Sequence, residues 1–414
     1  MFKALLLLVL FSGTANAWTV KWNHRLNWYN RYINSGVEDD SPLNPDNQVA
    51  KIPTHAFESD LRPTFNWELN GNQRFKVDPR LIFLYGQAEY KDQQNTTDKT
   101  QFFMNEVNWQ GNFGDHQIAL GIQNYQWGPA EMLSPTNPIF RFRFDQRSLF
   151  FQQRGRNLVR WNWQISHDWN LVTMVEVSKG NQQINKEDQD FQPNGLMKLE
   201  RALEKSSDYI GVVAGKTPYA ENFVGEYFAK NFTDEFSAYF DTRHQKGSNN
   251  WYPSDDPTAL FFAREHNKGI KTLANVGVRY EGRVDFRIEY IYNGVGLDNN
   301  DWNKTLNALK TPGLNTRENF KRFYFSGRDD LQRQHYGYTS MRIPDLGGNN
   351  QYTVFLRHFR SLADSSALTQ FQMDRVTGES FNLYLEASYY QGGPQTEFGA
   401  LLRHEISAGF RYSL

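Results

Sequence analysis

Residues 275–292 read NVGVRYEGRVDFRIEYIY and repeat with a period of two. Val276, Val278 and Tyr280 alternate with Asn275, Gly277, Arg279 and Glu281. Val284, Phe286, Ile288, Tyr290 and Tyr292 alternate with Asp285, Arg287 and Glu289. Gly282 and Arg283 separate the two runs as a hairpin turn. Wound into a helix, this sequence would scatter its charges around the whole cylinder. Extended, it sends successive side chains to opposite faces, so one face is apolar and the other charged. The two faces then need two different solvents.

The pattern recurs along the chain. Val159, Trp161, Trp163 and Ile165 alternate with Arg160, Asn162 and Gln164. Past a turn at His167 and Asp168 come Leu171, Thr173, Val175 and Val177. Phe236, Ala238 and Phe240 alternate with Ser237, Tyr239, Asp241 and Arg243. Leu402, His404, Ile406, Ala408, Phe410, Tyr412 and Leu414 alternate with Arg403, Glu405, Ser407, Gly409, Arg411 and Ser413. Aromatic residues make up 15% of the chain, yet mean hydropathy is −0.71. After the first residues, no apolar run reaches the roughly 18 residues of a membrane helix. Strands with one row for lipid and one for water cancel in any averaged hydropathy. The predicted fold is therefore all-β: a transmembrane antiparallel β-barrel.

Residues 1–17, MFKALLLLVLFSGTANA, carry Lys3, an apolar run and small residues at Ala15 and Ala17. They read as a cleaved secretory signal peptide, leaving residues 18–414 as a single barrel domain. The chain has no cysteine, so disulfides do not support it, and a formal charge of −1 argues against a nucleic-acid partner.

Short connections are expected near 70–73, 111–115, 167–168, 204–207, 231–235, 282–283, 345–350 and 377–380. Long ones are expected near 34–55, 92–100, 127–156, 179–195, 247–270 and 296–332. Alternation of short periplasmic turns with long external loops gives about 18 strands, with 16 as the nearest alternative. The first strand should begin near Trp18.

If apolar rows face lipid, the other rows face the lumen, because a charge at the lipid midplane costs about 2–4 kcal/mol. The candidate lumen residues are Arg160, Glu176, Asp241, Arg243, Arg279, Glu281, Asp285, Arg287, Glu289, Arg357, Glu386, Arg403, Glu405 and Arg411. Cross-strand pairing accounts for many such charges; those left over would create a field that sorts ions.

The connection WGPAEMLSPTNPIFRFRFDQRSLFFQQRGR, residues 127–156, stands apart. Pro129, Pro135 and Pro138 oppose a wall strand in its first half. It sets Arg141, Arg143, Arg147, Arg154 and Arg156 against Glu131 and Asp145, a local charge of +3. Connections of this length are usually functional. Its phenylalanines need a surface, so the expectation is an inward fold that narrows and charges the passage. The alternative is a wall strand prolonged above the membrane.

The final alternating stretch resembles the terminal targeting strand of bacterial outer-membrane barrels, with Leu414 where Phe is more usual. That resemblance implies recognition by the barrel-assembly machinery. Gly121, Gln123, Trp127, Gly128, Asn137 and Pro138 form a G-x-Q-x-x-x-WG…NP pattern. It resembles a segment of large outer-membrane barrels related to the alginate-export type. Residues 127–156 are also similar, in position and length, to the constriction loop of trimeric porins.

Catalytic patterns are missing. His404-Glu405 leads to no second histidine, and neither a nucleophile elbow nor a phosphate-cradling loop is present. The acidic pieces at 255–256 and 298–301 lack the full calcium-loop pattern. The expectation is no enzyme, no cofactor and no metal. The leading function is a porin-like outer-membrane channel passing small hydrophilic solutes, anionic or sugar-like, in contact with membrane lipid. The rival is a non-conducting barrel that binds or assembles surface polysaccharide. An adhesin or phage-receptor role is a third option. Nothing in the sequence fixes an oligomeric state.

Overall fold

The computed structural model describes residues 20–90, 93–140, 153–178, 194–203, 208–216, 222–248, 251–253, 262–264, 269–310, 331–348 and 351–414. Residues 1–17, expected to be a signal peptide, lie outside them. The strands are β1 (Val20–Val37), β2 (His55–Leu69), β3 (Gln73–Tyr90), β4 (Gln93–Phe113), β5 (His116–Gln123), β6 (Arg156–Gln164), β7 (Trp169–Ser178), β8 (Asn194–Ala202), β9 (Tyr209–Lys216), β10 (Asn222–Asn231) and β11 (Phe236–Lys246). They continue as β12 (Trp251–Pro253), β13 (Phe262–Arg264), β14 (Ile270–Glu281), β15 (Asp285–Asn293), β16 (His335–Ile343), β17 (Tyr352–Ser361), β18 (Ala367–Thr377), β19 (Phe381–Gln391) and β20 (Leu402–Ser413). One helix, α1 (Asn299–Lys310), lies between β15 and β16.

Eighteen strands form one antiparallel sheet, and β12 with β13 make a separate ribbon. Each wall strand pairs with its chain neighbour. β1 pairs with both β2 and β20, in register from Asn27↔Ser413 to Val37↔Leu402. That seam closes the cylinder, so the hydrogen-bonding groups of the first and last strands meet each other rather than lipid. The connections at one end of the barrel are all short, while the other end carries every long one together with the short β3–β4, β9–β10 and β17–β18 connections.

The alternation sorts as its chemistry requires. Val276 is 53% exposed on the outer row and Ile288 45%, while Glu289 is 1% and Asp241 0% exposed on the inner row. Three local expectations need correction. Residues 93–100 belong to β4 and pair with β3. Above the membrane both faces of this hairpin meet water, so polar NTTDKT can be strand without alternation. The 282–283 turn includes Val284, since β15 begins at Asp285. Arg403 leaves the lumen row: a register shift opposite Gly36 and Val37 skips it, and it pairs with Glu38 at 3.0 Å, more than half exposed.

At the long-loop end the connections build a small core of their own. Asp298 caps α1, its carboxylate accepting the Asp301 N–H at 2.8 Å. Trp302, Leu306 and Leu309 then recur at helical spacing and bury one stripe against Leu43, Leu297 and Ala400. Trp302 Nε1 donates to the Gln395 carbonyl at 2.9 Å. Glu397 ties this cover to the wall: its carboxylate accepts the Gln332 N–H at 2.6 Å and the Tyr336 hydroxyl at 2.8 Å. The Glu397 N–H in turn donates to Asp364 at 3.0 Å.

Burial pushes the Glu397 carboxyl up to about 8, and Asp364 adds to the rise, against hydrogen bonds from Gln332 and Tyr336 and the charge of Arg333. A carboxyl with a raised pKa in the packed state favours packing most at acidic pH. That contribution is lost as pH rises from the ordinary carboxylate range through about 8. Limited proteolysis at the long-loop end should therefore accelerate as pH increases over this window, and Glu397→Gln should flatten the profile. A flat profile in the unaltered protein would contradict the assignment. On the outer row, Val276→Arg should destabilise the barrel by about 2–4 kcal/mol, measured by denaturant titration in lipid vesicles.

Candidate functional site

The connection from β5 to β6 turns into the barrel. Its motif glycines permit the turn. Gly121 has φ 112°, and a Cβ there would strike the Val107 carbonyl oxygen on β4. Gly128 has φ 97°, and a Cβ there would overlap Ser134 Oγ and Asp241 Oδ2. Gln123 Nε2 donates to the Leu158 carbonyl at 3.1 Å, and Asn137 Oδ1 accepts the Phe140 N–H at 3.1 Å. The G-x-Q-x-x-x-WG…NP pattern is thus a set of positions that bend this segment and let it approach the wall closely.

Two buried wall carboxylates hold the segment. Asp241 on β11 accepts the Thr136 N–H at 2.9 Å, the Thr136 hydroxyl at 3.2 Å and the Ser134 hydroxyl. Glu289 on β15 accepts the backbone N–H of Glu131 at 2.7 Å and of Met132 at 3.1 Å. Tyr239 and Asn275 complete its shell at 2.7 and 3.0 Å, and Asn275 also donates to the Leu133 carbonyl at 3.0 Å. An isolated buried carboxylate is costly. Here each finds several donors, and a hydrogen bond to a charged acceptor contributes about 1.5–3 kcal/mol.

Apolar contacts fill the remainder. Met132 and Leu133 pack with Ile291, Tyr336, Tyr338 and Phe359 of the wall and with Leu331 and Phe398 of the long connections. Ile139 and Phe140 pack on Leu158, Val172, Met174, Leu196, Val213 and Phe223. These belong to β6–β10 and share the inner rows of Arg160, Glu176 and Lys198, so residues 127–140 lie inside the cylinder.

The predicted site residues divide as follows. Arg141, Arg143, Asp145 and Arg147 lie outside the described residues. Arg156 donates to the Ile139 carbonyl at 3.1 Å and to Glu176 at 3.0 Å, fastening the inward segment to β7. Arg154 stacks on Phe103, 4.0 Å from the ring centroid, and Arg160 on Tyr125 at 4.2 Å. Glu131 reaches β16, where it accepts from Tyr338 at 2.8 Å and Ser340 at 3.1 Å, with Arg287 Nε at 3.3 Å and Arg357 Nε at 4.0 Å. Arg279 pairs with Asp285 at 2.9 Å and with Glu281 at 2.9 Å near the short turns, where Glu281 is largely exposed. Glu386 accepts from Gln370 at 2.9 Å, and Gln370 also accepts from Arg357 at 2.9 Å. Glu405 and Arg411 share the β20 row of buried Ser407, and Arg243 is buried on β11.

A second cluster lies on the opposite arc, and its Arg80 escaped the sequence analysis. Asp60 is shared by Arg62 at 2.6 Å and Arg80 at 2.5 Å, and Arg62 stacks on Tyr29 at 4.0 Å. Beside it Arg31 pairs with Glu58 at 2.6 Å. One carboxylate against two guanidiniums leaves local positive charge. The row Lys76, Asp78, Arg80 was the available signal. Phe103, beneath both Arg80 and Arg154, was hidden: a register shift near Asn105 swaps the faces of β4. Among the described residues no cluster of His, Asp or Glu suited to a metal is found.

No family model matches the chain, and no curated protein matches it in sequence. Solved structures do match in shape. OccAB1 of Acinetobacter baumannii is 11% identical with a TM-score of 0.60, covering 95% of this chain and 96% of its own. OpdQ of Pseudomonas aeruginosa is 10% identical with a TM-score of 0.55, covering 95% and 99%. OprD of Pseudomonas aeruginosa is 10% identical with a TM-score of 0.54, covering 95% of each chain. The chain shares with these outer-membrane porins the closed 18-stranded barrel fold.

Met132 is 2% exposed in its seat, and the protein has no natural cysteine. A Met132→Cys thiol should label slowly with a maleimide. Adding Glu289→Gln should raise the rate about ten- to a hundredfold, the worth of one charge-assisted bond. An unchanged rate would mean that Glu289 does not hold the segment.

Proposed function

We propose that this protein is an outer-membrane channel through which small hydrophilic solutes pass passively. The observation that carries the reading is the anchored segment 127–140. Two buried wall carboxylates and an apolar seat hold it across the inner face from β6 to β17. A wide barrel that fixes a segment of its own chain inside acquires a constriction of defined chemistry. The long connections then face outward and the short turns the periplasm, as the order of connections in such barrels requires. Membrane lipid covers the outer row. The terminal strand is the part we assign to recognition by the barrel-assembly machinery.

Preference for anionic or polyhydroxylated solutes is supported by the excess of arginine. Residues 127–156 carry +3, and Arg62 and Arg80 share one aspartate on the facing arc. A passive channel needs no catalytic group.

Purified protein in planar bilayers should give discrete conductance steps. In a KCl gradient, Arg80→Ala should move the reversal potential toward the potassium value, because it removes one of the two guanidiniums on Asp60. Replacing Arg141 and Arg143 should act in the same direction. Silence at every voltage, with binding on a glycan array, would replace the channel reading with that of a polysaccharide-binding barrel.

A further inference from the structure

Glu131 is the acidic side chain at the tip of the inward segment, and its surroundings are those of a bound anion. Both oxygens are engaged. Oε1 accepts from Tyr338 at 2.8 Å and faces Arg357 Nε at 4.0 Å. Oε2 accepts from Ser340 at 3.1 Å and faces Arg287 Nε at 3.3 Å. All four groups stand on the inner rows of β15, β16 and β17. The Glu131 side chain remains 25% exposed, so the place is not sealed.

The side chain is not what anchors the segment. Glu289 holds the backbone N–H groups of residues 131 and 132, Asp241 holds residues 134 and 136, and Asn275 holds the Leu133 carbonyl. With the backbone held by these groups, the carboxylate is not needed to seat the peptide groups of the segment. Glu289 lies 4.0 Å from Arg287 as well, but its oxygens already accept from two backbone N–H groups, Tyr239 and Asn275, so it offers Arg287 only part of a counter-charge.

We propose that Arg287, Arg357, Tyr338 and Ser340 form a binding subsite for small carboxylate-sized anions, and that Glu131 is the built-in anion that occupies it and sets its affinity. The proposal deepens the channel reading and rests on it for the effect on ion flow. A tethered carboxylate competes with a free one at an effective concentration of about millimolar or above. A solute anion must displace it, so the subsite binds weakly and releases readily, as conduction needs. The number of arginines alone then does not fix the ion preference: the same wall is anion-attracting or nearly neutral according to where Glu131 sits.

The test is titration of the full-length detergent-solubilised protein with sodium propionate, followed by calorimetry. Glu131→Gln should bind propionate about tenfold more tightly than the unaltered protein. Adding Arg287→Gln should abolish the gain. Glu131→Asp, one methylene shorter, should show a partial gain and serves alone if Glu131→Gln does not fold. In bilayers Glu131→Gln should shift the reversal potential toward chloride, with saturable block by propionate. A protein that conducts yet gains no propionate affinity in either variant overturns the subsite and leaves the channel. One that gains affinity but never conducts keeps the subsite and overturns the channel. A gain that survives loss of Arg287 also overturns the proposal.

Discussion

Everything in this molecule depends on closing the hydrogen-bond ladder of a polar backbone. A strand in hydrocarbon has no water to turn to, so each edge must find another strand. The β1–β20 pairing satisfies that demand, and once it is made the rest follows. The period of two becomes a division between lipid and an enclosed interior. Charges that would be prohibitive on one row become harmless or useful on the other. The interior is therefore where the chain places nearly all of its chemistry.

The same bookkeeping governs the segment folded inside. Residues 127–140 bring unpaired peptide N–H groups into a buried place, and Asp241 and Glu289 are the acceptors that meet them. Neither partner would be stable there alone. A buried carboxylate without donors and a buried loop without acceptors are both costly, and each removes the other's cost. The inner wall of β6–β10 contributes the apolar half of the arrangement, and Leu331 and Phe398 couple the tip to the outer connections. A change at the long-loop end can thus reach the interior through packed side chains rather than through space.

Much of this was legible from the chain alone. Strand number, the positions of the short turns and the outer rows follow from alternation and turn chemistry. The inward course of residues 127–140 follows from prolines, length and apolar side chains that needed a surface. What escaped has definite causes. Residues 93–100 look like loop because a strand with water on both faces has no reason to alternate. Arg403 falls on an unexpected face, and Phe103 turns inward, because a single register shift reverses every side chain beyond it. Asp241 and Glu289 are visible as inward charges, but their task is not, because donors more than a hundred residues away in sequence define it. One signal was present and unused. In β7 both rows are apolar, Val172 and Met174 as well as Leu171 and Val175, and a strand greasy on both faces needs cover on both.

The inward segment lines the cylinder unevenly. Its contacts among the described residues run along β6 to β17, extend to Leu368 of β18 through the cluster around Met132, and touch β4 at the trailing end. Among the described residues, that arc of the tube is consequently two layers thick. Substitutions there risk unseating a second layer. On β2 and β3, Asp60, Arg62 and Arg80 form a coupled set of their own, so a change at one is felt by the other two. That lopsidedness makes the seat of the segment and the Asp60 set two separate units of change.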